Sequence, residues 1–327
     1  MSLKEFLEEW NNSSDRLLVH TSGSTGQPKP LWVEKRRMEA SARITCDFLG
    51  LQRGDTALLC LSLDYIAGKM MVVRSLIGGL HLVSVPPDGH PLLSDRLPAV
   101  IDFAAMVPLQ VYNALQSDTE CDRLRHIRHL IIGGGAIDDL LAVRLRDFPN
   151  AVWSTYGMTE TLSHVALRRL SGPEASEWYS PFPSVSLSLN ADGCLVIDAP
   201  AVCAERLVTN DIAELLSDGR FRILGRRDNV VCTGGLKVQM EEVERRLRQH
   251  TDLPLLITKC TDTKLGEAVV LLCQTDDTDS LRALCQQVLP RYWQPRHFIT
   301  VGTLPTTANG KPARAEARRL AEAFVNK

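Results

Sequence analysis

Apolar and polar positions along this chain follow one rhythm up to about residue 165 and another after it. In the first stretch, short and almost continuous apolar runs recur at 57–62, 81–85, 100–103, 129–132 and 151–155. Such runs are too short for helices and too unbroken for strands with one wet face, so they predict strands buried on both faces. Longer stretches with helical spacing lie between them, at 37–49, at 65–77, after Pro108 and from Asp138. Gly78-Gly79 terminates the second of these, because glycine accepts the left-handed conformation that ends a helix. Asp138 is placed to cap the last one. Residues 1–16 read as a surface helix and a polar turn, and 17–19 as a short strand. Strand and helix in alternation predict a parallel, helix-covered sheet, whose ligands gather beyond the carboxyl ends of the strands.

After residue 165 the runs shorten and turns such as Ala191-Asp192-Gly193 and Asp218-Gly219 separate them. Segments 185–189, 193–197, 212–216 and 220–224 predict an antiparallel region or a small β-barrel. From 226 onward the pattern predicts a strand, a helix at 239–250, strands at 255–258 and 267–273, a helix at 280–288, a strand at 297–301 and a tail. The expected fold class is therefore α/β, with a parallel helix-covered sheet, a small β-barrel or antiparallel region, and a smaller C-terminal α+β domain. The expected division is 1–225 and 226–327, both of ordinary domain size.

Composition narrows the function classes. The chain has 327 residues, 44% hydrophobic and 23% charged, which is enough for a well-packed soluble core. Its net charge of −2 argues against a general nucleic-acid binder. An anionic ligand would have to be held by local donors rather than by the overall field. Nine cysteines are scattered, mostly inside apolar runs such as Leu59-Cys60-Leu61, with no Cys-x-x-Cys pair. That usage fits reduced, buried thiols and a cytoplasmic location, and offers no zinc site. The first ten residues carry acids where a signal peptide needs an apolar segment, and no uncharged apolar run reaches spanning length, so membrane insertion is not expected.

Five segments carry more chemistry than packing requires. The first is His20-Thr21-Ser22-Gly23-Ser24-Thr25-Gly26-Gln27-Pro28-Lys29. A strand ending in hydroxyls, glycines and a lysine suits a phosphate, since small residues let backbone N–H groups approach and the lysine adds a point charge. It lacks the Walker A spacing, and alone it reads equally well as a surface turn. The second, Gly133-Gly134-Gly135-Ala136, follows a buried strand and would let a flat ligand lie on backbone, or would simply connect strand to helix. The third is Ser154-Thr155-Tyr156-Gly157-Met158-Thr159-Glu160-Thr161, which offers an aromatic face, a hydroxyl and a hard carboxylate suited to Mg²⁺. A Thr-Glu pair is also a common helix start. The fourth runs from Thr209-Asn210-Asp211 through Gly225-Arg226-Arg227-Asp228 to Thr233-Gly234-Gly235-Leu236-Lys237. Here Asp211 can accept from ribose hydroxyls and Asp228 stands at the composition break. The fifth is Thr307-Ala308-Asn309-Gly310-Lys311, which in isolation is an ordinary solvated turn.

In this order the five segments resemble the acyl-adenylating (ANL) superfamily of acyl-CoA synthetases, adenylation domains and luciferases, over almost the whole chain. The resemblance implies ATP and Mg²⁺ as cofactors and coenzyme A as co-substrate. It implies that the loop Thr21–Lys29 grips the triphosphate, that Gly133–Ala136 and Tyr156 frame the adenine, and that Thr159 meets the α-phosphate. It further implies that Glu160 holds the metal, Asp211 and Arg226 the ribose, and that Asp228 is a hinge. Lys311 would serve adenylate formation, and the Gly234-Gly235 loop the thiol step.

Within the superfamily the chain is similar to the o-succinylbenzoate–CoA ligases of menaquinone biosynthesis, in a short form. Tyr156-Gly157-Met158-Thr159-Glu160-Thr161-Leu162-Ser163-His164 resembles that group's magnesium motif, and Gly68 followed by Arg74 resembles its helix carrying a cation into the acyl pocket. A dicarboxylic aromatic acid needs a second cation, for which Arg74 is the first choice and Lys69 the second. Ser163 and His164 would line the pocket, although His164 reads equally as a neutral core histidine. Tyr65 stands where the group usually has histidine. The N-terminal subdomain usual in the family is missing from the sequence, which raises homo-oligomerisation or a helper partner. Two other readings stay open: an adenylation enzyme loading a carrier protein, and a degenerate nucleotide-binding regulatory module.

Overall fold

Strands Ile101–Met106, Ile127–Ile132 and Ala151–Gly157 lie side by side in parallel register, with Ala104 opposite Leu130 and Leu130 opposite Val152. This is a computed structural model, and it describes residues 1–20, 30–307 and 311–325. The three strands are the middle of a seven-stranded sheet. Thr56–Leu59 and His81–Ser84 extend it in parallel on one side, and His164–Arg169 and Ser180–Pro181 extend it antiparallel on the other.

Both faces of this sheet are covered, which is why its strands read as unbroken apolar runs. Phe103, Ala105 and Ile131 pack on one side with Met38, Ala42 and Cys46 of helix Lys35–Leu49 and with Met70 and Val73 of helix Ile66–Gly78. Ala104, Met106, Leu130 and Ile132 face the other way, toward Val111, Leu124 and Leu145 of helices Pro108–Ala114, Asp118–Arg125 and Asp139–Arg146. Asp138 caps the last helix by accepting from the Leu141 amide at 2.7 Å.

The segment after residue 185 forms a four-stranded antiparallel sheet, Ser186–Leu189, Cys194–Asp198, Leu207–Leu215 and Phe221–Arg226, in that order. Of the two expectations, antiparallel region or barrel, the open sheet is the one formed. Its first and last strands do not pair with each other. Four strands are in any case half of the roughly eight that enclose a filled barrel. A bridge between Tyr179 and Phe221 ties it to the large sheet.

Residues from Val230 build a five-stranded sheet in which Gly266–Cys273 pairs antiparallel with Leu255–Asp262 and parallel with His297–Thr300. Helices Met240–Arg248, Thr278–Val288 and Arg314–Val325 pack on it. Arg314 forms a two-pronged ion pair with the buried Glu244, at 2.6 and 2.9 Å. Two helices are not legible as helices in the sequence. Asp118–Arg125 buries only Glu120 and Leu124, and Arg314–Val325 only Ala317 and Ala321, so neither shows an apolar stripe of ordinary width. Among the described residues no helix is long and apolar enough to cross a membrane.

Candidate active site

Among the described motif residues, Gly133, Tyr156, Asp211, Arg226 and Lys311 come together where the parallel strands end. After Ala151–Gly157 the chain reverses sharply into His164–Arg169, and Gly157 makes the reversal possible. A Cβ there would stand 2.2 Å from the Ser163 carbonyl oxygen and 2.5 Å from the His164 Cα. The Thr161 hydroxyl lies 3.0 Å from the Met158 carbonyl and 2.7 Å from that of Ser163, tying the turn across its base. Leu162 adopts φ 65°, the left-handed region, as no other non-glycine residue does among those described. A branched residue held there stores roughly 1–3 kcal/mol, and such strain persists only where surrounding contacts over-determine it. The turn buries Thr159 and Thr161 and leaves Glu160 exposed, with no ion-pair partner among the described residues.

The glycines after Ile127–Ile132 lie alongside. A Cβ on Gly133 would stand 2.5 Å from the Thr155 hydroxyl, and Gly134 has φ 80°. Gly133 and Gly134 thus leave bare backbone beside the Thr155 hydroxyl. Tyr156, on the adjacent strand, packs edge-on against Phe221 with ring centroids 5.1 Å apart. Its hydroxyl donates to Asp211 Oδ2 at 2.7 Å. Burial pushes the Tyr156 phenol well above its ordinary pKa, and the Asp211 charge pushes it further. Arg226 donates to Asp211 Oδ1 and, through its other nitrogen, to Asp228 Oδ2, both at 2.9 Å. Burial works against the Arg226 charge, but Asp211 and Asp228 outweigh it and hold its pKa above the ordinary value. Asn210, beside Asp211 in the fourth segment, donates to Asp228 at 3.2 Å.

Lys311 belongs to this group as well. Burial lowers its pKa, the nearby Arg226 lowers it further, and Asp211 opposes both. Its backbone is clamped to Thr307, whose amide donates to the Lys311 carbonyl at 2.7 Å. Gly225 lets the following segment pass close, since a Cβ there would meet Gln239 Nε2 at 2.1 Å, and that nitrogen bonds the Arg226 carbonyl at 2.8 Å. Gly234 and Gly235, with φ 58° and 82°, turn the hairpin between Val230–Thr233 and Leu236–Gln239. Gly234 bonds Leu265 within the C-terminal sheet, and neither glycine bonds the Tyr156–Asp211–Arg226 group. Ala136 ends the glycine ledge. Thr21, Ser22, Gly23, Ser24, Thr25, Gly26 and Lys29 lie outside the described residues. The strands flanking them pair antiparallel, with His20 opposite Pro30.

A second cluster sits behind the strained turn. Arg74 is 2% exposed, and its Nη2 donates to the Ser163 hydroxyl. Among the described residues it has no carboxylate partner, and its Nε is buried with no hydrogen-bond partner. Desolvation draws its pKa down to about 10. Ser163 Oγ also lies 3.2 Å from His164 Nδ1, and His164 Nε2 lies 3.1 Å from Thr45 Oγ1. Burial first, and the Arg74 charge second, push the His164 pKa far down, so the ring is neutral. Lys69 is not brought to this cluster. Its ammonium lies over the Phe6 ring at 5.2 Å and 4.0 Å from Glu9, against helix Leu3–Asn11. Gly68 lets the Arg74 helix approach, since a Cβ there would meet the Ser62 carbonyl at 2.3 Å. Thr45 does not stand out in the sequence. The available signal is a hydroxyl on the apolar stripe Met38, Ala42, Cys46 and Leu49 of its helix.

Comparison with known proteins gives the following. A family model described as AMP-binding enzyme matches residues 5–201. A 2-succinylbenzoate–CoA ligase of Bacillus cereus (strain Q1) is 24% identical over 96% of this chain and 72% of its own length. A plipastatin synthase polypeptide of Bacillus subtilis is 27% identical over 90% of this chain, which spans 13% of that protein. Among solved structures, an acyl-CoA synthetase (AMP-forming)/AMP-acid ligase II-like protein of Dyadobacter fermentans is 32% identical with a TM-score of 0.65, over 96% of this chain and 92% of that one. The o-succinylbenzoate CoA synthetase of Bacillus subtilis, in complex with its acyl-adenylate, superposes with a TM-score of 0.78 at 22% identity, over 92% of this chain and 68% of that one.

Proposed function

The chain belongs to the AMP-binding enzyme family, and from that footing we propose that it activates an aromatic dicarboxylic acid, o-succinylbenzoate first among them, with ATP and passes the acyl group to coenzyme A. In the first half-reaction a carboxylate oxygen of the acid attacks the α-phosphorus of ATP, giving the acyl adenylate and pyrophosphate. In the second the thiol sulfur attacks the acyl carbon, the thioester forms and AMP leaves.

The residues suit these steps. Neither step needs a protein nucleophile, so positioning and charge neutralisation carry the catalysis. The loop from Thr21 to Lys29 grips the β- and γ-phosphates. The Gly133–Ala136 ledge and the Tyr156 ring take the adenine, and Thr159 meets the α-phosphate. Asp211 has both oxygens engaged, yet each keeps a second lone pair for a ribose hydroxyl. Lys311 reaches the reacting carboxylate and α-phosphate as an ammonium. Glu160 fits Mg²⁺: it is an exposed hard carboxylate with no competing cation among the described residues, and this ion characteristically takes one or two protein carboxylates and keeps water and phosphate for the rest. When bound, the metal neutralises phosphate charge. Residues 226–327 form a mobile unit that turns about Asp228, withdrawing Lys311 and bringing in Gly234-Gly235 for the thiol step.

The single observation that carries the acid's identity is Arg74, a fully buried guanidinium with no carboxylate partner among the described residues. A buried charge left unpaired is strongly unfavourable, and an acid with a second carboxylate would complete it. The relatives named as 2-succinylbenzoate–CoA ligases, at 24–25% identity over about the whole chain, support the same choice. The test is ATP–pyrophosphate exchange with a panel of aromatic mono- and dicarboxylic acids. Exchange is expected with o-succinylbenzoate at a far lower KM than with the monocarboxylate analogue that keeps the reacting carboxylate; no exchange with any aromatic acid overturns the proposal. The similarity to the plipastatin synthase polypeptide favours one second reading, a carrier-protein thiol as acceptor. Offering coenzyme A and a phosphopantetheinylated carrier side by side separates the two.

A further inference from the structure

Four side chains behind the strained turn form one hydrogen-bonded line: Arg74, Ser163, His164 and Thr45, ending on the Ser41 carbonyl. The direction of every proton in it follows from the partners. A guanidinium only donates, so Ser163 Oγ accepts from Arg74. At the far end Thr45 Oγ1 is placed to donate to the Ser41 carbonyl at 3.0 Å, which leaves it an acceptor toward His164. His164 must then carry its proton on Nε2, so Nδ1 accepts from the Ser163 hydroxyl. The reverse tautomer would give Ser163 Oγ two donors, leave the Ser163 proton without a protein partner and lose the Thr45–Ser41 bond. In a site this dry the arrangement that satisfies every hydrogen is favoured.

The line has a consequence for Arg74. Ser163 presents a lone pair to the guanidinium and points its proton away. One Nη is therefore fixed on Ser163, the other lies 3.9 Å from the Met71 sulfur, and the buried Nε is the nitrogen that finds no partner among the described residues. The backbone enforces the same setting. Gly157 and the Thr161 hydroxyl fix the Ser163 carbonyl, and Leu162 is held in a left-handed conformation to deliver the Ser163 side chain inward.

We propose that Thr45 and His164 are positioning residues that set the acid specificity of the enzyme without touching the acid: they take the Ser163 proton, hold its oxygen as an acceptor toward Arg74, and so lock the guanidinium with Nε–H turned to receive a second carboxylate. This rests on the reading of Arg74 as the site of that carboxylate, and deepens it.

Thr45→Val keeps the shape of the side chain and removes the far end of the line, while Thr45→Ser keeps the hydroxyl. ATP–pyrophosphate exchange is measured with o-succinylbenzoate and with the two analogues that each lack one carboxylate. Thr45→Val is expected to raise KM for the dicarboxylate about tenfold, the equivalent of one hydrogen bond, and to leave kcat within about twofold. KM for the active monocarboxylate analogue stays unchanged, and Thr45→Ser restores the wild-type preference. An equal loss for mono- and dicarboxylate, or no loss, overturns the inference. If Thr45→Val does not fold, nitrogen chemical shifts of His164 in the wild-type chain decide: Nε2–H is expected, and Nδ1–H refutes the line. Arg74→Met separates the two levels. If it leaves acid preference intact, the reading of Arg74 has failed; if it abolishes that preference while Thr45→Val does nothing, only the positioning role has failed.

Discussion

Replacing Arg74 by methionine should weaken acid binding without weakening the fold, and the structure supplies both magnitudes. Burial draws the guanidinium from its ordinary value down to about 10, a fall of more than two units. At about 1.4 kcal/mol per pKa unit, keeping this charge inside costs the folded chain on the order of 3 kcal/mol. The sign is unfavourable at neutral pH: the folded pKa lies below the unfolded one, so the penalty is present in full at any pH below about 10 and fades only above it. Methionine fills the same channel with neutral atoms and removes that penalty. It also removes the charge-assisted bond to Ser163, worth roughly 1.5–3 kcal/mol, while Ser163 keeps its bond to His164. The balance is between about zero and about 1.5 kcal/mol in favour of the variant. Its thermal midpoint should hold or rise by a few degrees, at about 2–4 °C per kcal/mol for a domain of this size. Binding should move the other way. Losing the cation opposite a desolvated carboxylate costs at least about 2 kcal/mol, so KM for o-succinylbenzoate rises about 30-fold or more. Differential scanning calorimetry and exchange kinetics on one preparation read both. A midpoint that falls by more than about 5 °C with acid preference unchanged would mean that Arg74 is a structural residue, and the reasoning would be wrong.

Other outcomes follow from the same geometry. Lys311→Ala should abolish adenylate formation and spare thioester formation from pre-made adenylate; equal loss of both half-reactions contradicts the role. Because burial and Arg226 lower the Lys311 pKa, its ammonium is lost below 10.5 as pH rises, so the first half-reaction should show an alkaline limb that the second lacks. Tyr156→Phe removes the 2.7 Å bond to Asp211 and should raise KM for ATP several-fold, about 1 kcal/mol, with KM for the acid unchanged. Gly157→Ala places a methyl group 2.2 Å from a backbone oxygen that has no room to yield, so a loss of several kcal/mol in urea unfolding is expected, together with loss of activity.

The chain's own pattern determined much of this protein. Continuous apolar runs separated by helical spacing specify a sheet covered on both faces, because only burial on both sides removes the need for alternation. The motif order specified the family, and Gly68 and Gly157 stand where close backbone approaches leave no space for a Cβ. Arg74 could be singled out because Gly68 followed by Arg74 resembles the helix by which the o-succinylbenzoate–CoA ligases carry a cation into the acyl pocket. What the sequence could not decide was where side chains separated by tens of residues meet. Lys69 and Arg74 share one helix, yet one faces Glu9 and Phe6 and the other Ser163. Tyr156, Asp211, Arg226 and Lys311 become one electrostatic group only when three sheets are in place. His164 read equally as a pocket residue and as a neutral core histidine; it is neutral and buried, bonded to Ser163 on one side and Thr45 on the other. Periodicity reports which face of an element is dry. Hydrogen-bond direction depends on which partner arrives from the rest of the chain, and only the tertiary structure decides that.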